Sequence, residues 1–215
     1  MCGRYWLEKD EESGELVERM NRSPLLSRIP EDVPAAFGEI APGSIAPALA
    51  TNRAGEARIF PMRWGFERPS PLQAQNAPAG HLLINARSET AGSKPSFKDA
   101  WLSHRCALPA SWYFEWRRAP DVKGRLRPQE KYALRPKGQG LIWLCGLYRM
   151  EGGFPRFVVL TREAAPQIFF IHDRMPLILS RADAESWIDP ASDPKAFLER
   201  AETDVSYRRE GGEEG

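Results

Sequence analysis

Nineteen prolines and seventeen glycines are scattered along the 215 residues, and they cut the apolar residues into short runs. Such punctuation points to many turns and short strands rather than to a few long elements. The length suits one domain or two small ones, and a 42% hydrophobic content with seven tryptophans supplies a real core. No apolar stretch is long enough to cross a membrane, and charges arrive by Glu8, so no signal peptide is expected. A cytoplasmic protein with reduced thiols is the expectation.

The pattern predicts a short strand over Cys2–Trp6 and a helix from about Asp10 to Asn21, followed by a proline-rich connection, Ser23–Pro34. Ile45–Thr51 and Glu56–Phe60 read as strands joined by the turn Asn52-Arg53-Ala54-Gly55. Met62–Phe66 continues as strand or loop, and Leu82–Ala86 is a short apolar strand. Ser96 is placed to cap a helix carrying Phe97, Ala100, Trp101 and Leu102. Cys106–Trp116 reads as one long β-rich run, with further strands at Lys131–Arg135, Leu141–Arg149, Phe157–Leu160 and Leu177–Leu179. Helices are expected at Glu163–Phe170, broken near Pro166, and at Ala182–Ile188 and Pro194–Ala201. The Gly211–Gly215 tail reads as disordered. Strands outnumber helices and no linker or repeat is visible. The expectation is a single α+β domain around a mostly antiparallel, barrel-like sheet flanked by short helices.

Three cysteines, Cys2, Cys106 and Cys145, make no disulfide framework, and the spacing suggests no metal site or cofactor. Cys106 and Cys145 sit in apolar, strand-like surroundings and read as inert core thiols. The net charge of +1 does not advertise nucleic acid, but it is unevenly spread: Arg117 to Lys137 holds eight basic residues against two acids. Such a run is either a solvated loop face or a groove for a phosphate backbone.

Four segments carry groups that a scaffold does not need. The chain opens Met1-Cys2-Gly3-Arg4-Tyr5. Removal of Met1 would leave Cys2 with an α-amine beside its thiol, a pair able to condense with an aldehyde and close a five-membered ring. An α-amine titrates near ~7.7–8.0, so part of it is unprotonated at neutral pH. The strand at Ile84 ends in Asn85-Ala86-Arg87-Ser88-Glu89-Thr90, joining an amide, a guanidinium and a carboxylate. Glu115 follows three aromatics in Trp112-Tyr113-Phe114 and precedes Trp116; pointing inward, it would be desolvated and its pKa raised. His172 stands alone in Ile171-His172-Asp173-Arg174-Met175-Pro176. Each has an ordinary structural use: a strand-end bond for Asn85, an outward edge position for Glu115, a capping role for His172, a surface pair for Arg87 with Glu89. Together they supply a thiol or amine, an amide, a carboxyl and an imidazole, a set suited to aldehyde condensation or acyl transfer.

These four motifs, in this order, resemble the SRAP (SOS-response-associated peptidase) family, with supporting matches at Ala41-Pro42-Gly43 and Arg63-Trp64-Gly65. The resemblance runs from Cys2 to about Ser180. It implies one SRAP domain over residues 1–208 with a tail at 209–215, and a barrel-like sheet beside a positively charged channel. It implies an abasic-site sensor that binds single-stranded DNA, removes its own Met1, and forms a covalent thiazolidine through Cys2. By the same resemblance Asn85 orients the N-terminal residue, Glu115 shuttles protons, and His172 assists proton transfer at the sugar. Arg4 and Arg87 become phosphate ligands, Pro42 and Trp64 an apolar surface for bases, and Thr161 a weaker site candidate. A monomer, nucleoid-associated when bound to DNA, is expected. Two departures from the family pattern stand out: Glu39 where Asn is common, and Trp112 where Gly is common. A thiol peptidase acting on other proteins and a non-covalent single-strand binding module are the alternative readings.

Overall fold

The computed structural model describes residues 2–29, 36–67, 82–120 and 124–211, with the backbone alone at 126–128. The chain runs through β1 (Arg4–Leu7), α1 (Glu11–Asn21), β2 (Gly38–Ile40), β3 (Ile45–Thr51) and β4 (Ala57–Trp64). It continues through β5 (Asn85–Arg87), α2 (Ser88–Ala91), α3 (Lys98–Ser103), β6 (Arg105–Ala110), β7 (Trp112–Pro120) and β8 (Leu126–Pro136). The last part holds β9 (Ile142–Glu151), β10 (Phe154–Glu163), β11 (Arg174–Pro176), β12 (Ile178–Leu179), α4 (Arg181–Trp187), α5 (Ala196–Glu199) and β13 (Val205–Arg209).

The strands form two sheets. In the first the order is β13-β8-β7-β1-β2. In the second, β10-β4-β3-β6-β9 form a ring, closed where β9 pairs with β10. β5, β11 and β12 attach to this barrel. Closure removes open edges, and short helices cover part of the outside. The fold is therefore a single α+β domain with a mostly antiparallel barrel at its centre.

Most elements follow from local chemistry. Asp10 and Ser13 build a reciprocal cap on α1, and Leu16, Val17 and Met20 bury one face of it. The β3–β4 hairpin turns at Asn52–Gly55, where Gly55 takes a φ of 78° that a side chain rarely adopts. Two expectations are corrected. Ser96 does not cap α3; the residue preceding the helix is Phe97, without a side-chain cap. Over Glu163–Phe170 there is one tight turn, Pro166–Ile168, because Glu163 still belongs to the β10 ladder and Pro166 lacks an N–H. Of the expected disordered tail, Gly212–Gly215 lie outside the described residues.

The long run Cys106–Trp116 is divided between the two sheets. β6 pairs with β9 in the barrel, β7 with β1 and β8 in the other sheet. The break falls at Ser111, whose N–H donates to Trp6 O at 2.7 Å and whose hydroxyl accepts from Glu8 N–H at 2.9 Å. This switch carries Glu115 under the start of the chain.

Candidate active site

The first residues reach the site because β1 lies between β2 and β7, with Arg4 opposite Phe114 and Tyr5 opposite Tyr113. Cys2 precedes β1 and is fully buried. Its thiol donates to Arg4 O at 3.7 Å, and its carbonyl accepts from Asn85 Nδ2 at 2.8 Å. Asn85 is placed by β5, which pairs in parallel with β10 so that Asn85 stands opposite Val159.

Glu115 points inward, with 3% of its surface exposed. Burial pushes its carboxyl up to about 7, although the nearby Arg118 charge pulls the other way. The Cys2 thiol is pushed far above its ordinary range, by burial first and then by the Glu115 charge. A thiol in this setting stays protonated until a base takes its proton. Glu115, poised near neutrality, has the range of a general acid or base.

His172 sits between the Pro166–Ile168 turn and β11. Burial lowers its pKa, and the charges of Arg118 and Arg174 are among the further causes that lower it. Nδ1 lies 3.0 Å from Arg174 N, whose N–H it accepts when unprotonated. Asp173 Oδ1 also lies 2.8 Å from Nδ1 and becomes an ion-pair partner only when the ring is protonated. Arg118 thus acts on both Glu115 and His172, and the Glu115 charge acts on Cys2.

Arg174 locks this corner. Its guanidinium grips both oxygens of Glu89 at 2.7 and 2.9 Å and donates to Thr161 O at 2.7 Å. Glu89 is therefore paired with Arg174, not with Arg87, and Arg87 is left exposed at the end of β5. Thr161 is fully buried between Ala86 O and Arg174, each 3.4 Å from its hydroxyl. Pro42 is half-buried in the turn before β3. Arg4 is half-exposed and bridged to Glu39 at 3.0 Å.

Trp64 corrects an expectation. It is fully buried, stacked on Phe157 at 5.8 Å with 15° between the planes, and its indole N–H donates to Ile84 O at 2.9 Å. A ring used this way belongs to the core and presents no face to bases.

Sequence reasoning missed the two tyrosines opposite each other on β1 and β7. The hydroxyls of Tyr5 and Tyr113 are buried with no hydrogen-bond partner among the described residues, as is Asn85 Oδ1. Both phenols are pushed up by burial first and by the Cys2 charge next, so they remain O–H donors. Alternation inside β1 and β7 was the available signal, since it places Tyr5 and Tyr113 on the Glu115 face. Among the described residues no cluster of His, Cys, Asp or Glu is arranged to hold a metal ion.

The family model for SOS response associated peptidase (SRAP) matches residues 1–208. The abasic site processing protein YoqW of Bacillus subtilis is 31% identical over 93% of this chain and 85% of its own length. The abasic site processing protein YedK of Escherichia coli is 31% identical over 87% of this chain and 79% of its own. A solved structure of a protein from Bacteroides thetaiotaomicron superimposes with a TM-score of 0.69 at 19% identity, covering 97% of this chain and 91% of that one. A phage-related protein of Bordetella bronchiseptica gives 0.69 at 20% identity, over 99% and 95%. On these matches the chain, in which Cys2 and Glu115 of one sheet meet Asn85 beside the barrel, belongs to the SOS response associated peptidase family.

Proposed function

We propose that this protein processes abasic sites in single-stranded DNA by covalent capture through Cys2, after its own Met1 has been removed. Relatives that cover most of the chain are named abasic site processing proteins, which supports the coarse reading. The observation that carries the finer one is the Asn85 bond to the Cys2 carbonyl beside a buried Glu115 of pKa about 7.

Hydrolysis of the Met1–Cys2 bond consumes one water and frees the Cys2 amine. The amine attacks the aldehyde of the ring-opened sugar, and loss of water gives an imine. The thiol then adds to the imine carbon, its proton passing through Glu115 to the nitrogen, and the thiazolidine closes. Asn85 fixes the residue that carries both nucleophiles, which lowers the entropy cost of the two attacks. The His172 imidazole assists proton transfer at the sugar oxygens. Arg4 and Arg87 hold flanking phosphates as monomeric protein meets strand. An abasic position has no base to read, so recognition rests on backbone charge and aldehyde reactivity.

A thiol peptidase acting on other proteins fits less well. The relatives that cover most of the chain are named for abasic sites, and removal of its own Met1 would account for the peptidase chemistry. The test is a denaturing gel after mixing protein with a single-stranded oligonucleotide holding one abasic site. The expected result is a heat-stable protein–DNA band that is absent with an intact strand and absent for Cys2→Ala. Glu115→Gln slows its appearance about 10²-fold, the lower end for loss of one acid–base group. A retained Met1 in the intact mass of crosslinking protein would overturn the mechanism.

A further inference from the structure

The face of the first sheet that points away from the tyrosines is lined by cations laid on aromatic rings. Strand alternation puts Arg4 and Trp6 of β1, Trp112, Phe114 and Trp116 of β7, and Lys131 and Arg135 of β8 on this side. Arg208 of β13 joins them, opposite Ala133. Lys131 Nζ sits 3.9 Å from the Phe114 ring centre, and the guanidiniums of Arg135 and Arg208 sit 4.0 and 4.5 Å from the Trp112 ring. Such stacking fixes long side chains in place and leaves their charge outward. A cavity of about 130 Å3 opens among Trp6, Trp112, Lys131 and Arg208, with Glu8 and Glu210 at its lining. The Trp112 Nε1 donor is buried without a hydrogen-bond partner among the described residues.

Anions already occupy this face: Glu210 Oε1 lies 3.7 Å from Arg208 Nε, and Glu39 bridges two strands. Glu39 gives one oxygen to Arg4 Nε at 3.0 Å and the other to Lys131 Nζ at 2.7 Å. Two cations from separate strands on the two oxygens of one group is how a phosphate is held. The pair is more than a third exposed on the Glu39 side, so exchanging it for another anion costs little.

We propose that this outer face is a track for the phosphate backbone of single-stranded DNA, running from Arg4 across Lys131 to Arg135 and Arg208, and that Glu39 is a tethered stand-in for one of its phosphates. The occupant follows from the chemistry: fixed cations over aromatic rings, continuous through Arg4 with the Cys2 site, with β1 to β13 spanning three strand spacings, or about 15 Å, room for two or three nucleotides. An incoming phosphate displaces the Glu39 carboxylate. Glu39 therefore weakens binding and makes the strand compete for its own site. The proposal rests on the reading that the Cys2 site takes single-stranded DNA.

The test uses fluorescent oligonucleotides of 5 and 20 nucleotides carrying a tetrahydrofuran abasic analogue, which has no aldehyde, so binding is measured apart from capture. Dissociation constants are taken by anisotropy at several salt concentrations. Glu39→Gln is expected to tighten the 20-mer about threefold to tenfold. The joint variant Lys131→Ala with Arg135→Ala is expected to weaken the 20-mer and the 5-mer alike, about tenfold, and to flatten the salt dependence by about 0.7 in log–log slope per lost charge. Misfolding cannot produce the gain in Glu39→Gln, so that arm guards the other. Unchanged 20-mer affinity and salt slope in both variants overturns the track, whatever the denaturing gel shows for Cys2. A wild-type protein that shows the track signature yet forms no heat-stable band leaves the track standing and removes the covalent reading.

Discussion

At the residue scale, Glu115 is the group whose environment differs most usefully from water. Its folded pKa of about 7 lies above the ordinary 4.5 because burial disfavours the charged form. Between those two values the folded state keeps a proton that the unfolded state has released. Stability is therefore fully present below about 4.5 and falls as pH rises through about 7. At about 1.4 kcal/mol per pH unit, the wild type is expected to lose up to about 3 kcal/mol over that window. Glu115→Gln, which cannot titrate, removes this fall. Urea unfolding at a series of pH values measures it, and parallel wild-type and variant curves would remove the buried carboxyl from the account. The sequence showed the carboxylate among aromatics but not its direction, because alternation permits either face. It also suggested Trp64 as a surface for bases. Its neighbours Arg63 and Gly65 look exposed in sequence, and only the opposing Phe157 and Tyr5 rings make the position a core one.

At the scale of elements, the clearest case is Arg105, at the start of β6. It is buried to 1% exposure, and its guanidinium serves the ends of two helices and the turn after α4. It donates to Trp187 O at 2.6 Å, at the end of α4, and to Trp101 O and Leu102 O at 3.0 and 2.9 Å, near the end of α3. It also reaches Ser192 O at 3.1 Å and Asp189 O beyond α4. Carbonyls at helix C-termini lack intrahelical donors and carry partial negative charge, so one fork serves two helices. Arg105→Met leaves those carbonyls buried and unpaired, and a loss of about 3–5 kcal/mol in urea unfolding is expected. Arg105→Lys keeps the charge but not the fork, and falls between. A Met variant within 1 kcal/mol of wild type would contradict this. The elements were largely legible where a local cause sets them: the start of α1 near Asp10 and the Asn52–Gly55 turn. Ser111 was not legible as a break. The bonds that turn the chain there come from Trp6 and Glu8, more than a hundred residues earlier.

For the whole molecule, a barrel-like sheet was expected, but which strands close it was not legible, because that depends on strands meeting far along the chain. β10 pairs in parallel with β4 and antiparallel with β9, and β9 in turn joins β6. Gly146 sits at this junction, opposite Cys106 on one side and Val159 on the other. A Cβ placed there would lie 2.8 Å from Leu108 Cδ2, 2.9 Å from Cys106 Sγ and 2.9 Å from Val158 O. The side chains have some room to turn. The Val158 carbonyl does not, since moving it separates β10 from β9 and opens the ring that carries Asn85 and the His172 turn. Gly146→Ala is therefore expected to destabilise by about 1–3 kcal/mol, as overpacking does. The opposing gain from a less flexible unfolded chain, about 0.4–1 kcal/mol, reduces that loss without cancelling it. Gly14 supplies the control. It lies inside α1 with nothing within 4 Å of an added Cβ, so Gly14→Ala keeps the unfolded-state gain and adds helix propensity, up to about 1 kcal/mol of stabilisation. Urea midpoints moving in opposite directions for the two alanines are the expected outcome. If both rise together, the β9–β10 seam has slack, and closure of the barrel does not hold the site at the tolerance its chemistry requires.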